Sequence, residues 1–252
     1  MGASNRQGYQ NRGMGGQMRI LTPDEFKAKK TSDTLAIMGC GYSINDITTQ
    51  QWYDIDEYNS IGMNWFCNSG RPVTFYLVRE QCVTPKRLEP GSLHDDFVEK
   101  MKRFSSTKIV KDMAYRTDNY QWAQNTDLFE GEGIILPEIR GRCNAKAFRH
   151  DLFTEGCHHG KSSLYDILHI AVQMGYERLI FCGIDLYDSR YFWLGPEETR
   201  EIVAREGSKW DNPHPTSGTT LSLIEDFMVA YPNIKCLIQN PKSVLSVVMG
   251  VW

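Results

Sequence analysis

The stretch from Ser162 to Asp185 limits the fold more than any other part of the chain. Ser162 and Ser163 open a segment in which Leu164, Ile167, Leu168, Ala171 and Val172 recur at helical spacing on one face. Gly175 follows as a helix stop. Arg178 to Ile184 is then a continuous apolar run, too short for a helix and without the alternation of a half-exposed strand. A strand of that kind is buried on both faces, which happens in parallel sheets covered by helices. The same grammar recurs. Thr34 to Met38 is a second buried strand, and it breaks into Gly39-Cys40-Gly41. Ser60–Asn64, Val73–Val78, Thr107–Val110 and Gly133–Pro137 read as further strands. An amphipathic helix over Thr220–Tyr231, a strand over Asn233–Ile238 and a short helix over Lys242–Val248 close the chain. Helices alternating with apolar strands predict an α/β fold, a doubly wound, mainly parallel Rossmann-like sheet.

The domain plan follows. Residues 1–19 lack Asp and Glu, carry Arg6, Arg12 and Arg19, and are rich in Gly, Asn and Gln. This reads as a disordered arm, either a solvated tail or a contact for an anionic partner. Residues 20–252 then form one domain. The aromatic, polar stretch of about 188–219 has no period and is too long for a routine loop, so it reads as a lid insert. No internal repeat is visible.

Charge excludes some functions. With 28 Lys and Arg against 31 Asp and Glu, the net charge of −3 argues against sequence-independent nucleic-acid binding as the main task. No apolar run approaches the ~20 residues of a membrane span, and no secretory segment opens the chain. Met1-Gly2 begins like a myristoylation signal, but Arg6 stands where Ser or Thr is wanted. Cys40, Cys67, Cys82, Cys143, Cys157, Cys182 and Cys236 form an odd, scattered set without C-x-x-C, as expected of reduced thiols in a cytoplasmic protein.

Five features carry candidate chemistry. Gly39-Cys40-Gly41-Tyr42-Ser43 lies at a strand end, with Ser43 placed as an N-cap. It is either a phosphate- or ribose-approaching turn or a plain tight turn. Gly183-Ile184-Asp185-Leu186-Tyr187 ends the central strand. Asp185 there is either a ligand contact for a ribose hydroxyl, base or metal, or a cap for its own loop. Tyr187 and Tyr191 are phenol donors able to stabilise a departing phosphate, or else ordinary aromatic packing. Cys157-His158-His159 looks like a metal cluster but lacks ligand spacing, which leaves His159 either as an anion contact near the helix start or as a histidine with no ligand role. His214, between Pro213 and Pro215, is a stiffly held imidazole suited to general base work, or an exposed loop residue. Asp54-Ile55-Asp56 is a D-x-D match that reads better as polar surface, and no nucleophile-elbow motif is present.

In order, the glycine turn, Asn64, Ser162-Ser163, Gly175-Tyr176, Cys182-Gly183-Ile184-Asp185-Leu186-Tyr187, His214 and Asn240-Pro241-x-Ser243 resemble the bacterial sialyltransferases of glycosyltransferase family 42. The resemblance spans about residues 33–248 and is strongest over 162–248. It implies a GT-A-like variant of the Rossmann fold. The implied activity is inverting, metal-independent transfer of sialic acid, or a related keto-sugar acid such as Kdo, from a CMP-activated donor to a glycan. It implies no cofactor. His214 would be the base on the acceptor hydroxyl, and Tyr187 and Tyr191 the donors to the leaving phosphate. Gly39, Cys40, Gly41, Ser43, Asn64, His159, Ser162, Ser163, Gly183, Ile184 and Asp185 would line the donor. The chain departs from the family pattern at Cys40, where an Asn is usual, at Tyr42, where a Pro is usual, and near Leu77, where a second Asn is lost. These changes touch donor-sugar contacts. Competing readings are an ATP- and magnesium-dependent enzyme, like the pterin pyrophosphokinase-like or flagellin-glycosylation relatives, and a nucleotide-binding module without catalysis. The acceptor and oligomeric state stay open; the family often assembles into homo-oligomers.

Overall fold

The computed structural model describes residues 18–78, 97, 99–101, 104–112, 129–139, 148, 150–158, 162–187, 189–198 and 217–252. Its strands are β1 (Arg19–Ile20), β2 (Thr34–Met38), β3 (Asn59–Met63), β4 (Phe75–Val78), β5 (Thr107–Asp112), β6 (Glu132–Ile139), β7 (Cys157–His158), β8 (Arg178–Cys182), β9 (Lys235–Ile238) and β10 (Gly250–Val251). The helices are α1 (Pro23–Lys27), α2 (Thr49–Asp56), α3 (Leu152–Glu155), α4 (Ser163–Gln173) and α5 (Ser217–Ala230). The sheet runs β1-β6-β5-β4-β3-β2-β8-β9-β10, with β7 beside β6. Every ladder in it is parallel. This is the doubly wound Rossmann-like architecture that the apolar runs imply.

Those runs are apolar throughout because both faces of the sheet are covered. Leu35 and Ile37 of β2 and Leu179 and Phe181 of β8 face one core, which takes in Phe26 of α1, Ile167 and Leu168 of α4, and Ile224 and Phe227 of α5. Ala36, Met38, Ile180 and Cys182 alternate with them onto a second core, with Ile55 of α2, Phe66, Tyr76, Phe97 and Met101. A one-residue slip of either strand would exchange the two sets.

Local signals set the ends of elements. The helix α4 stops where Gly175 takes φ 67. There Gly175 N–H donates to Val172 and Tyr176 N–H to Ala171, both at 3.0 Å, which satisfies two terminal carbonyls. Thr22 and Thr48 begin α1 and α2 as capping boxes with Glu25 and Gln51.

Several expectations shift. Of the segment read as an arm, residues 1–17 lie outside the described set, Met18 is buried and Arg19 belongs to β1. Ser43 is not an N-cap; Gly41 caps a 3₁₀ turn (Tyr42–Asp46) in which Ser43 is buried. β5 runs past Val110 to Asp112, and β6 past Pro137 to Ile139. The expected short last helix is a 3₁₀ turn (Val244–Val247). α5 begins at Ser217, so the last residues assigned to the lid are helical, while residues 199–216 lie outside the described set. Asp54-Ile55-Asp56 lies in α2 with Ile55 buried, a helix surface as read. No helix among the described residues is long and apolar enough to cross a membrane.

Candidate functional site

β2 and β8 are neighbours, in register from Thr34 against Arg178 to Met38 against Cys182. From β2 the chain moves outward through β3, β4, β5 and β6, then returns to β8 on β2's other side. The crevice beyond their carboxyl ends is therefore the topological switch point, where open parallel sheets bind ligands.

The two strand ends leave the sheet together and are stitched to one another. Gly39 N–H donates to Cys182 and Gly41 N–H to Gly183, each at 2.8 Å. A Cβ on Gly39 would lie 2.5 Å from the Gly183 carbonyl oxygen, and one on Gly41 would lie 2.5 Å from Asp185 Oδ2. Gly183 has φ 65 and packs against Ile44. The glycines therefore let two backbones meet. The N–H groups of Gly39 and Gly41 are spent inside the protein rather than directed at a ligand.

Asp185 completes this clip. It is 3% exposed. Its carboxylate accepts the Ser43 amide at 2.9 Å, the Ser43 hydroxyl in a short hydrogen bond, and Asn240 Nδ2 at 2.9 Å. One anion thus ties the loops after β2, β8 and β9, and the geometry favours the cap reading of Asp185. The neighbouring Ile184 is buried, and its carbonyl accepts the Ser243 hydroxyl at 2.6 Å. Leu186 follows in the left-handed region at φ 64, and its carbonyl holds the Ser217 hydroxyl at 2.7 Å. That conformation costs a leucine about 1–2 kcal/mol and turns the chain sharply toward Tyr187.

Tyr187 is half-buried, with its hydroxyl 3.5 Å from Asn240 Nδ2. Tyr191 pairs with Gly41 in an isolated antiparallel bridge, and its ring lies tilted against Trp193 with centroids 4.7 Å apart. Phe192 N–H donates to the Cys40 carbonyl at 3.3 Å, and Arg190 lies 4.5 Å over the Tyr42 ring. The start of the proposed lid thus rests on the glycine turn.

On the other flank, Cys40 Sγ donates to the Met63 carbonyl at 3.5 Å. Burial pushes this thiol up to about 12. Asn64, next in the chain, is exposed and left-handed at φ 52. Its Oδ1 accepts the Ser163 hydroxyl at 3.0 Å, and its carbonyl accepts the Tyr76 hydroxyl at 2.9 Å. Ser162 is the N-cap of α4, yet its side chain caps no amide, and its buried Oγ finds no partner among the described residues. The amino end of an 11-residue helix, Asn64 and two serine hydroxyls therefore converge beside the switch point. The helix dipole favours an anion there.

Beneath this end lies a pair that the sequence reading missed. Lys111 of β5 meets Asp166 in the first turn of α4, with Nζ at 3.0 and 3.1 Å from the two carboxylate oxygens. Their side chains are 0% and 2% exposed. The signal was present as a lysine interrupting an apolar strand. A buried ammonium needs a partner. Lys108, on the same strand, finds its partners in the Phe104 and Glu130 carbonyls, and burial lowers its pKa against the pull of Glu130. Asn240 was also missed as a clip residue.

The structure thus gathers Gly39, Cys40, Gly41, Ser43, Gly183, Ile184, Asp185, Tyr187 and Tyr191 at one strand-end cluster, with Asn64, Ser162 and Ser163 beside it. His159 and His214 lie outside the described residues. Among the described residues no group of three or more His, Cys, Asp or Glu is placed to hold a metal ion.

No family model and no curated protein matches the chain. Solved structures do. Two crystal structures of variants of the sialyltransferase CST-II in complex with CMP are 16% and 15% identical. Each match covers 86% of this chain and 85% of that chain, with TM-scores of 0.47 and 0.49. The monofunctional alpha-2,3-sialyltransferase Cst-I from Campylobacter jejuni is 13% identical, over 92% of this chain and 82% of that chain, with TM-score 0.50. Likeness at this identity is a likeness of fold.

Proposed function

We propose that this chain is a glycosyltransferase that takes sialic acid or a related keto-sugar acid from a CMP-activated donor and passes it to a glycan, with inversion and without a metal. One observation carries the reading: Asn64, Ser162 and Ser163 meet at the amino end of α4 beside the β2–β8 crevice. That arrangement suits a nucleoside monophosphate laid over the strand tips with its phosphate toward α4. The order of motifs along the chain, and a fold shared with the alpha-2,3-sialyltransferase Cst-I, support the same donor class.

In this reading the acceptor hydroxyl gives its proton to His214 as its oxygen attacks the anomeric carbon. The bond from that carbon to the phosphate oxygen breaks, and CMP leaves with the electron pair. Tyr187 and Tyr191 donate hydrogen bonds to the charge that develops on the phosphate. The lid of about residues 188–219 would close over the donor and exclude water. The glycine turn and Asp185 form the floor and do not contact the phosphate through the amides of Gly39, Gly41 or Ser43. Residues 20–252 act as one catalytic domain, working in the cytoplasm with no cofactor.

Calorimetric titration with CMP, UMP, ATP and GDP tests the donor class. CMP should bind and ATP should not. CMP release from CMP-Kdo and CMP-sialic acid should persist in EDTA. Activity that requires ATP and magnesium would contradict the reading, and binding of none of the nucleotides would favour a non-catalytic module. His214→Ala should lower turnover by about 10²–10⁴ while leaving CMP affinity nearly unchanged.

A further inference from the structure

We infer that Tyr76, buried beneath the site, is a positioning residue: its hydroxyl clamps the turn at Asn64 and so holds the Asn64 amide where the donor phosphate lands. The inference rests on the proposed function, in which that phosphate lies at the amino end of α4 beside Asn64.

A strand glycine makes room for the clamp. Gly62 of β3 lies in register with Tyr76 of β4. A Cβ on Gly62 would stand 2.8 Å from Tyr76 Cε2 and 3.0 Å from Cδ2. Glycine weakens a strand interior, and here it admits the close approach of the ring. Tyr76 is fully buried, and Phe97 and Phe104 meet its ring edge-on, with centroids 6.2 and 5.6 Å away. A phenylalanine would satisfy that packing. The hydroxyl serves the backbone instead: it donates to the Asn64 carbonyl and accepts the Cys67 amide, both at 2.9 Å. One oxygen thus spans the turn that leaves the carboxyl end of β3. Burial holds the phenol well above its ordinary pKa, so it stays a donor near neutral pH.

Asn64 needs the clamp because it stands in the left-handed region at φ 52, a conformation that the surroundings must hold in place. Its side chain is exposed, so burial does not fix it. Two hydroxyls hold it, Tyr76 on the carbonyl and Ser163 on Oδ1 at 3.0 Å. One residue earlier, the Met63 carbonyl accepts Cys40 Sγ. With Oδ1 turned to α4, Asn64 keeps Nδ2 as its donor for an anion at the helix end. Without the clamp the turn relaxes toward negative φ, and the amide leaves that point. The net worth of one hydrogen bond corresponds to a factor of about two to ten in an equilibrium. Apparent affinity scales with the fraction of molecules that keep the turn, so the loss has that size at most.

The test is a double-mutant cycle on the full chain, read by calorimetry at pH 7 as the ratio of CMP to cytidine affinity. Cytidine lacks the phosphate, so effects on the nucleoside cancel in the ratio. Tyr76→Phe should lower the ratio about threefold to tenfold in the parent, and by under about twofold in Asn64→Ala, where no amide is left to position. Urea midpoints should fall alike in both backgrounds, since the Cys67 amide loses its acceptor in each. A merely structural Tyr76 would give that fall in stability and leave the ratio alone. Should Tyr76→Phe fail to fold, Gly62→Ala takes its place. Its Cβ displaces the ring while the hydroxyl remains, and the ratio should again fall only where Asn64 is present. An unchanged ratio in Tyr76→Phe, or an equal fall in both backgrounds, overturns the inference and leaves the proposed function standing. A parent-like ratio in Asn64→Ala overturns it too, because Asn64 then meets no phosphate. If the parent binds no CMP, the proposed function fails and the inference with it.

Discussion

Replacing Asp185 with Asn separates a clip from a ligand contact. The Asp185 carboxylate is 3% exposed and accepts three donors, the Ser43 amide, the Ser43 hydroxyl and Asn240 Nδ2. Asn is nearly isosteric but brings an NH₂ group to one of the two oxygen positions. If that group faces Oδ2, it meets the Ser43 amide, a donor that cannot rotate away. If it faces Oδ1, it meets Asn240 Nδ2, while the Ser43 hydroxyl can turn to accept. Either way at least one charge-assisted bond is lost and one buried donor stands unpaired. Each such loss is worth about 1.5–3 kcal/mol, so Asp185→Asn should destabilise the fold by roughly 2–4 kcal/mol. For a domain of this size that lowers Tm by on the order of 5–15 °C. Urea unfolding at pH 7, followed by tryptophan fluorescence, measures it directly. The m-value should not change, and residual CMP affinity below the new midpoint should stay within a few-fold of the parent. A loss below about 1 kcal/mol with CMP binding abolished would refute the reasoning, because Asp185 would then be facing the ligand.

Gly41→Ala should cost about 2–3 kcal/mol, since its Cβ would lie 2.5 Å from Asp185 Oδ2 and 2.9 Å from the Gly183 carbonyl. Gly218→Ala in the first turn of α5 meets nothing within 4 Å and should be neutral or slightly stabilising in the same unfolding assay. Cys40 should resist iodoacetamide near neutral pH, because burial holds its thiol at about 12 and leaves on the order of one thiolate in ten thousand at pH 8. Its labelling, read by peptide mass spectrometry, should climb roughly tenfold per pH unit up to about pH 10, and a pH-independent rate would contradict the burial. Glu25 should titrate near 2, held down first by the Thr22 amide and then by Arg19. A folded-state pKa below the unfolded one means its contribution is complete above about pH 4.5 and is lost as pH falls through 2. A carbon-13 shift titration with a midpoint at the ordinary carboxylate value would contradict the capping box.

The central βα units were legible because their signals are local. α4 shows helical periodicity and a glycine stop, and β2 and β8 are apolar runs with glycine at the carboxyl end. β1, β7 and β10 have only two residues each, too few to show any period, and their pairing depends on where β6 and β9 lie. The site was legible as a set of positions but less so as a set of jobs. Gly39 and Gly41 read as either a phosphate turn or a tight turn from spacing alone. What decides between these is the approach of Gly183 and Asp185, which come from a strand more than 140 positions later in the chain. Lys111 and Asp166 were missed for the same reason: a lysine in an apolar strand signals a buried partner, but only the folded sheet shows which residue it is. Asn64 was found through motif order, whereas its left-handed backbone and its bond to Ser163 are consequences of packing.

A crystal structure of the chain soaked with CMP asks the central question most directly. The account predicts the phosphate at the amino end of α4, within hydrogen-bond reach of Asn64 and the Ser162 and Ser163 hydroxyls, with the nucleoside over the ends of β2 and β8. Density for CMP anywhere else on the molecule, or a phosphate seated on the Gly39–Ser43 turn after those amides have left their present partners, would contradict it.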